Sequence, residues 1–324
     1  MIKWGIIGPG TIAHKFADEV CNTEHGKLIS VYGRNEERTK NFAKGYNLET
    51  YYTDIDQFLN AKEIDAVYIA TPHSSHMKFA RQCIKAGKHV LCEKPFSYNE
   101  KTSREILELA KENNVFVMEA LWTLFLPAVK KAKSWIEEGR IGKVKLITAN
   151  FGFKSEEDIN SRLYNPELAG GALLDVGIYT ILISNFITNS MPEKVNASAV
   201  MTKTNVDETD MISLKYGNGE CASLTCSIAC DTENSAVIYG DNGKIVVPEF
   251  SKAKKAYLYS NKELLEQFED KYDGTGYKYE IEEANSCILG DKLESQCASH
   301  KMTLELAEIM DEVREQINLV YPFE

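Results

Sequence analysis

A glycine-rich turn between a strand and a helix, at the start of the chain, constrains the fold more than any other feature of the sequence. Residues Ile2–Ile7 are almost all apolar and predict a buried strand. The apolar residues after the turn recur at helical spacing, which predicts a helix packed on that strand. Between the two, residues 8–13 read G-P-G-T-I-A and match the G-x-G-x-x-A pattern of a strand–turn–helix unit.

The residues of this turn suit the binding of a pyrophosphate group. Gly8 can adopt the backbone angles of a tight turn, and Gly10 lets the backbone approach a ligand closely. Ala13 is small enough for the helix to pack closely on the strand. The N–H groups of Thr11 and Ile12 open the helix, where they and the positive end of its dipole attract an anion. An ordinary glycine turn is the alternative, but the position between strand and helix favours a dinucleotide site.

The first third of the chain alternates short apolar runs with amphipathic segments. This alternation predicts an α/β domain in residues 1–124, a Rossmann fold with a doubly wound parallel sheet. Its predicted strands cover residues 2–7, 28–32, 66–70, 89–92 and 115–118.

After Pro127 the pattern changes to longer strands with alternating apolar residues. Two stretches, Y-G-N-G at residues 216–219 and G-D-N-G at 240–243, have the composition of hairpin turns. One strongly apolar helix is predicted to begin after Gly170 and Gly171. Residues 125–324 are therefore expected to form an α+β domain on a large, mainly antiparallel sheet. Its predicted strands cover residues 144–153, 194–202, 211–216 and 220–230.

Charge and composition argue against several classes of protein. The net charge of −11 opposes binding to nucleic acid or to an anionic membrane surface. The eight cysteines form no C-x-x-C pair, which argues against a zinc site and fits a reducing cytoplasm. No signal-peptide pattern is visible, and the longest apolar stretch, at residues 178–187, is too short and too polar to span a bilayer. We expect a cytoplasmic protein that binds no nucleic acid, membrane or metal.

The end of the second predicted strand bears on which nicotinamide cofactor the domain prefers. A domain that prefers NAD usually carries Asp or Glu there, bonded to the ribose 2′-hydroxyl. In this chain Arg34 occupies the tip, and Arg38 follows one helical turn later. Guanidinium groups suit the 2′-phosphate of NADP, and Arg34 could also stack on the adenine. NADP is therefore the expected cofactor, with NAD as the alternative because Glu36 and Glu37 lie close by.

The triplet Glu93-Lys94-Pro95 follows the fourth predicted strand. The carboxyl ends of parallel strands border the crevice in which such sheets bind their ligands. Lys94 is therefore expected to meet both the nicotinamide and the substrate. A surface lysine after a strand is the alternative.

These segments resemble the Gfo/Idh/MocA family, named after glucose-fructose oxidoreductase, inositol dehydrogenase and MocA. T-P-H-S-S-H at residues 71–76 is similar to the family's T-P-N-x-x-H loop near the nicotinamide, with His73 in place of the usual asparagine. G-G-A-L-L-D-V-G-I-Y at residues 170–179 is similar to its G-G-G-x-L-x-D-x-G-x-H helix start, with Tyr179 in place of the usual histidine. The chain looks closest to the branch of dimeric dihydrodiol dehydrogenases and NADP-dependent sugar dehydrogenases, which also has this tyrosine.

The resemblance implies an NADP-dependent oxidoreductase that transfers a hydride to or from a carbon bearing a hydroxyl or carbonyl group of a sugar or a vicinal diol. The residues expected to bind the cofactor are Gly8, Gly10, Thr11, Ile12, Arg34, Arg38, Thr71, Pro72, His73, His76, Glu93, Lys94 and Trp122. The residues expected to be catalytic are Lys94, Tyr179 and Asp175.

A mechanism follows from the spacing of two of these residues. Asp175 and Tyr179 are four residues apart, so a helix places both on one face. We expect Tyr179 to exchange the proton of the substrate hydroxyl, and an adjacent Lys94 ammonium to lower the pKa of that phenol. Lys94 could instead contact the substrate oxygen, and Asp175 would orient the substrate or balance the lysine charge. The structural alternatives are a helix-start carboxylate for Asp175, core packing for Tyr179 and Trp122, and capping for His76.

Two other functions stay open. One is an NAD-dependent, inositol-type dehydrogenase, and the other is a nucleotide-sensing protein without catalysis. Fold alone does not separate them. The resemblance also implies a homodimer that forms through the sheet of the second domain.

Overall fold

The N-terminal apolar run is a central strand of a parallel sheet in the computed structural model of the protein, which describes residues 1–260 and 262–324. The sheet has the strand order β3-β2-β1-β4-β5-β6, in which the direction of progression reverses beside β1. This order is that of a Rossmann domain, so the predicted doubly wound sheet is confirmed. Its strands are β1 (Ile2–Ile7), β2 (Gly26–Tyr32), β3 (Thr50–Tyr52), β4 (Ala66–Ile69), β5 (His89–Glu93) and β6 (Val117–Ala120).

Helices connect these strands and cover the sheet. The first helix, α1, buries Ala13, Phe16 and Val20, and the ring of Phe16 stacks on Tyr68 of β4 at 4.1 Å. The predicted apolar spacing of this helix is therefore its packing face. The helices of the chain are α1 (Thr11–Val20), α2 (Glu36–Gly45), α3 (Ile55–Asn60), α4 (His76–Lys85), α5 (Glu100–Glu112), α6 (Pro127–Glu137), α7 (Ile178–Thr188), α8 (Tyr277–Leu289) and α9 (His300–Gln316).

A second sheet has eight strands in the order β14-β13-β12-β11-β7-β10-β9-β8. Only β7 and β10 pair in parallel among its described strands, so the expected mainly antiparallel sheet is confirmed. Both predicted hairpin turns join antiparallel neighbours, β9 to β10 and β11 to β12. The strands are β7 (Val144–Gly152), β8 (Lys194–Met201), β9 (Asp207–Lys215), β10 (Cys221–Ser227), β11 (Ser235–Gly240), β12 (Lys244–Pro248), β13 (Lys255–Ser260) and β14 (Glu263–Glu269).

The chain divides into two compact units, and the division is not the single cut at residues 124/125 that the sequence suggests. The first unit comprises Met1–Trp122 and Asp273–Leu304, and the second comprises Thr123–Tyr272 and Glu305–Glu324. The segment with α8 thus belongs to the first unit, although the sequence pattern assigns it to the second domain. Side chains of β1 and α1 hold it there, because Trp4 Nε1 donates to Asn285 Oδ1 at 2.9 Å and Glu19 accepts from Thr275.

The apolar helix predicted after Gly171 lies inside the second unit. A helical stretch over Pro166–Thr188 is long and apolar enough to cross a membrane. The apolar run at residues 178–187, taken alone, was predicted to be too short and too polar to do so. However, 94% of the apolar window of the longer stretch is buried within the protein. Such burial is that of the core helix of a soluble fold, here packed against β7 and β10.

Candidate active site

The glycine turn has the geometry that an anion site at a helix start requires. Gly8 has a φ of +96°, and a Cβ atom there would lie 2.9 Å from the carbonyl oxygen of Ala70. Gly10 precedes α1. Among the described residues, a Cβ atom on Gly10 would have only the carbonyl oxygen of Ala70 within 4 Å, so the turn leaves room for a ligand. No side chain caps α1 at Gly10, and its first turn carries no acidic residue. The N–H groups at Thr11 and Ile12 therefore fit a pyrophosphate.

A cavity of about 400 Å³ lies beside this turn, between α1 and α2. Asn35 caps α2 by accepting from the N–H of Arg38 at 2.9 Å, which holds the first turn of α2 at the cavity. Arg34, at the end of β2, is exposed. The cavity is lined by Pro9, His14, Asn35, Glu37, Arg38, Asn41, Phe42, Gly45 and Tyr46.

The loop after β4 is anchored by His76. The ring of His76 is fully buried and bridges two backbone carbonyls, with Nδ1 2.9 Å from the oxygen of Pro95 and Nε2 2.8 Å from that of Thr71. Burial lowers the pKa of His76, and the contacts with the two carbonyl groups work against that fall. His76 therefore ties the loop over residues 71–76 to the loop after β5. The ring of His73 lies 5.8 Å from that of His76 and is also buried.

Thr71 and Pro72 face the same edge of the sheet as the glycine turn. A Cβ atom on Gly8 would lie 3.0 Å from Cγ2 of Thr71. The hydroxyl oxygen of Thr71 is buried and receives no hydrogen bond from residues 1–260 or 262–324. An orphaned hydroxyl beside an open glycine turn fits a dinucleotide that supplies the missing partner.

The E-K-P triplet continues directly from β5. Glu93 is its last residue, buried, and accepts a hydrogen bond from the hydroxyl of Tyr68. Burial raises the pKa of Glu93, and the Tyr68 bond and the Lys94 charge work against that rise. The Lys94–Pro95 peptide bond is cis. Lys94 thus lies at the carboxyl end of a parallel strand, as its position in the sequence predicts.

Glu119 of β6 holds the chain just after this triplet. Its Oε1 accepts from the N–H of Phe96 at 2.7 Å, and burial raises its pKa to about 7. This role of Glu119 was not predicted from the sequence. A carboxyl group in the middle of an apolar strand does indicate such a role, because a buried charge needs a partner. Trp122, which follows β6, is buried and packs its ring 4.7 Å from that of Tyr277.

The second unit places Asp175 and Tyr179 on one continuous helical stretch. Leu173–Gly177 form a π-helical turn that leads straight into α7. Such turns recur at functional sites because they shift side chains out of the regular helical pattern. Both residues are nearly buried, with 5% of the surface of Asp175 and 7% of that of Tyr179 exposed, and the Tyr179 ring lies 5.5 Å from that of Phe151.

Arg162 forms a two-pronged ion pair with Asp175. Its Nη1 lies 2.8 Å from Oδ1 and its Nη2 3.3 Å from Oδ2. Planar guanidinium groups bind carboxylates in this way with defined geometry. This pairing could not be predicted from the sequence, because the two residues stand 13 positions apart and their spacing is that of no helix or strand.

Two family models match most of the chain. One, described as an oxidoreductase family with an NAD-binding Rossmann fold, matches residues 2–121. The other, the GFO/IDH/MocA C-terminal domain, matches residues 129–246. The chain belongs to the Gfo/Idh/MocA family of oxidoreductases. The resemblance drawn from the glycine turn, the E-K-P triplet and the 170–179 segment is therefore confirmed.

Curated members of the Gfo/Idh/MocA family align with the chain along its full length. It is 34% identical to trans-1,2-dihydrobenzene-1,2-diol dehydrogenase of Danio rerio, over 99% of this chain and 98% of that protein. It is 32% identical to scyllo-inositol 2-dehydrogenase (NADP(+)) IolU of Bacillus subtilis, over 99% of both chains.

Solved structures share the fold over nearly the whole chain. The aldose-aldose oxidoreductase from Caulobacter crescentus superimposes with a TM-score of 0.90 at 20% identity, covering 98% of this chain and 97% of that one. KijD10, a 3-ketoreductase from Actinomadura kijaniata solved with NADP, gives a TM-score of 0.89 at 22% identity, covering 98% of both. The chain is an oxidoreductase built on the Gfo/Idh/MocA fold, and its site residues stay predictions.

Proposed function

We propose that this protein is an NADP-dependent oxidoreductase that transfers a hydride between nicotinamide and a hydroxyl- or carbonyl-bearing carbon of a sugar or vicinal diol. The observation that carries the proposal is the cavity of about 400 Å³ beside the glycine turn, bordered by Asn35 and Arg38. A 2′-phosphate carries negative charge and several strong acceptor oxygens, which a guanidinium and an amide can bind. Arg34 adds a second guanidinium at the end of β2.

The names of the relatives support this cofactor and substrate class. The inositol dehydrogenase of Bacillus subtilis is named for NADP(+), and KijD10 was solved with NADP. The relatives of Danio rerio and Caulobacter crescentus are named for a diol and for aldoses. These substrates share a carbon whose hydroxyl is oxidised or whose carbonyl is reduced.

The cofactor, when bound, supplies the hydride acceptor, and the protein must handle the proton of the hydroxyl. We assign the pyrophosphate to Gly8, Gly10 and the start of α1. We assign Tyr179 as the group that exchanges the proton. Lys94 is assigned to polarise the substrate oxygen. The remaining cofactor contacts are assigned to Thr11, Ile12, Thr71, Pro72, His73, His76, Glu93, Lys94 and Trp122.

Asp175 is assigned to orient the substrate. Its carboxylate is fixed by Arg162, so its oxygens have a defined direction toward any hydroxyl groups that they accept from. A fixed acceptor selects hydroxyl groups by position, which suits a polyhydroxylated substrate better than a simple alcohol.

One observation favours NAD instead. The carboxylate of Glu37 lines the same cavity as Arg38 and could accept from a ribose 2′-hydroxyl. An inositol-type dehydrogenase that uses NAD is therefore the second candidate.

The function is tested by following the formation of NADPH and NADH spectroscopically with pyranose sugars, inositols and vicinal diols. We expect turnover with NADP and at least one sugar or diol, and none in Lys94→Met. Turnover with NAD and inositols alone would support the second candidate. If neither cofactor is reduced with any of these substrates, or if Lys94→Met keeps its activity, the proposal is wrong.

We also propose that the protein is a cytoplasmic homodimer that pairs through the outer face of the second sheet. Cross-strand pairing places large apolar side chains on this one face, and each is at least 37% exposed in the single chain. A two-fold axis would cover both copies of such a face at once. The residues are Leu146, Val200, Met211, Tyr239 and Leu264.

Light scattering after size-exclusion chromatography tests the dimer. We expect the mass of two chains for the wild type and of one chain for Met211→Glu, because a buried carboxylate at the interface is costly. Lys62→Glu, on the first unit, is the control that should stay dimeric. A wild type that elutes as a single chain at micromolar concentration would contradict the proposal.

A further inference from the structure

Two carboxyl groups meet in the interior of the second unit, Asp207 and Asp210 of β9. Residues three apart on a regular strand point to opposite faces. Here the pairing of β8 with β9 shifts by one residue between Val200 and Met201, so that both aspartates turn inward. Each is 0% exposed. The shift in register is therefore what brings two acidic side chains together in a buried place.

Each aspartate uses one oxygen to bind a neighbouring group. Oδ2 of Asp207 accepts from the N–H of Leu173, the first residue of the π-helical turn. Oδ2 of Asp210 accepts from the thiol of Cys226 at 3.1 Å. The other oxygen of each, Oδ1, is buried and receives no donor from residues 1–260 or 262–324. Burial raises the pKa of both carboxyl groups, and a hydrogen bond between them lowers the pKa of Asp207 and raises that of Asp210.

We propose that Asp207 and Asp210 share one proton and act as positioning residues that hold the helical turn carrying Asp175. A single proton between the two carboxyl groups satisfies both orphaned oxygens at once, whereas two carboxylates would repel each other in a medium of low dielectric constant. The shared proton leaves the pair with one negative charge. That charge faces the N-terminus of the helical stretch, where it is favoured.

Two glycines show how closely the helical turn is fitted to this pair. Gly171 has a φ of +117°, and a Cβ atom on it would lie 2.0 Å from Oδ1 of Asp207. Gly177, between Asp175 and Tyr179 in the chain, would bring a Cβ atom 2.9 Å from the sulfur of Cys226. The helix that carries both proposed site residues thus rests on Asp207 and on the thiol that donates to Asp210.

The other titratable groups around the pair come from β10 and the C-terminal segment. Cys226 faces Asp210, and burial raises the pKa of its thiol well above its usual range, so it stays a neutral donor. Burial, followed by the charge of Asp207, raises the pKa of Tyr321, and the Tyr321 hydroxyl donates to the carbonyl of Gly170 at 2.7 Å. Arg314 and Glu324 pair with each other beside Tyr321. Burial, followed by the charge of Asp207, raises the pKa of Asp210 to about 9.

Only the kinetic test of this inference rests on the proposed function, because it needs a substrate. We expect Asp210→Asn to keep kcat within about threefold of the wild type, because its amide donates to Asp207 permanently. Asp207→Ala, which loses the acceptor for Leu173, should lower kcat by roughly 10- to 100-fold and change substrate KM less. In wild type kcat should fall as the shared proton is lost above about pH 9, and this fall should be smaller in Asp210→Asn.

The second arm needs no substrate. When folding raises the pKa of a carboxyl group, the protein loses stability as the pH rises from the unfolded-state pKa to the folded-state pKa of that group. The Tm of Asp210→Asn relative to wild type should therefore climb by several degrees between about pH 5 and pH 9 and then level off. A Tm difference that does not change with pH would overturn the shared proton whether or not a substrate is known. Equal loss of kcat in Asp210→Asn and Asp207→Ala would overturn it as well.

Discussion

Arg162 and Asp175 are joined by two parallel contacts, and they differ sharply in exposure. Half of the Arg162 side chain, 51%, is open to solvent, whereas only 7% of the Asp175 side chain is. The buried carboxylate is therefore compensated from the solvent side by an arginine that also fixes its orientation. The pair joins the chain before the glycine-rich segment at 170–171 to the helical stretch after it.

Arg162→Met should remove this compensation and leave the nearly buried carboxylate of Asp175 without its arginine. Because the arginine is half exposed, we expect a loss of roughly 1–2 kcal/mol in the free energy of unfolding, less than for a fully buried pair. The loss is measured by urea unfolding at neutral pH. Adding Asp175→Asn to Arg162→Met should restore most of it, and a double variant that is no more stable than Arg162→Met would show that the pair contributes little. Arg81→Met, at an exposed pair with Glu105, is the matched control.

Lys94→Met should lower kcat/KM by at least about 10³-fold while NADPH binding stays within a fewfold of wild type. The lysine is assigned to the reacting oxygen, whereas the phosphates of the cofactor are assigned to the glycine turn and the arginines. Steady-state kinetics and fluorescence titration measure the two effects separately. Lys101→Met, on the exposed side of α5, serves as the control. Parallel losses in turnover and in cofactor affinity would make Lys94 a binding residue.

Tyr179→Phe should lower kcat by roughly 10²- to 10⁴-fold, the usual contribution of a group that transfers a proton in the transition state. The ring keeps its packing against Phe151, so the Tm should change little. Tyr51→Phe, on the exposed edge of the first sheet, is the control for removal of a phenol hydroxyl. A variant with wild-type kcat would reduce Tyr179 to a core residue.

Glu280→Met should stabilise the protein, and the gain should grow with pH. Glu280 is 0% exposed, and neither of its carboxyl oxygens finds a partner among the described residues. Burial, reinforced by Glu93, raises its pKa well above the usual range. A carboxyl with a raised folded pKa lowers stability as pH rises above its unfolded pKa of about 4.3, by at most about 1.4 kcal/mol per pH unit.

Thermal unfolding at about pH 5 and pH 8 measures this effect. The Tm of Glu280→Met should exceed that of wild type more at the higher pH. Glu112→Met, on the exposed face of α5, should show no such trend. A Tm difference that is equal at both pH values would mean that the Glu280 carboxyl does not carry the raised pKa.

The elements with strong periodicity could be predicted from the sequence, and those whose stability comes from distant partners could not. β1, α1 and the apolar helix after Gly171 follow directly from local patterns. β3 is only three residues long and carries no readable alternation. The placement of α8 in the first unit depends on the contacts of Trp4 and Glu19, which lie more than 250 residues away in sequence.

The same distinction holds for the candidate site. Glycine turns and strand ends can be recognised in sequence because their chemistry depends on local backbone geometry, as at Gly8 and Lys94. The partner of Asp175 and the meeting of Asp207 with Asp210 could not be predicted. The first depends on the fold of an irregular loop, and the second on a one-residue shift in strand register.

The affinities for NADPH and NADH, measured by fluorescence titration in wild type, Arg34→Ala and Arg38→Ala, show most directly whether the protein prefers NADP. We predict that wild type binds NADPH at least about tenfold more tightly than NADH, because a hydrogen bond to the charged 2′-phosphate contributes about 1.5–3 kcal/mol. Both variants should lose most of that preference while their NADH affinity stays the same. Equal or tighter binding of NADH by the wild type, unchanged in both variants, would rule out a preference for NADP and make Glu37 the residue that selects the cofactor.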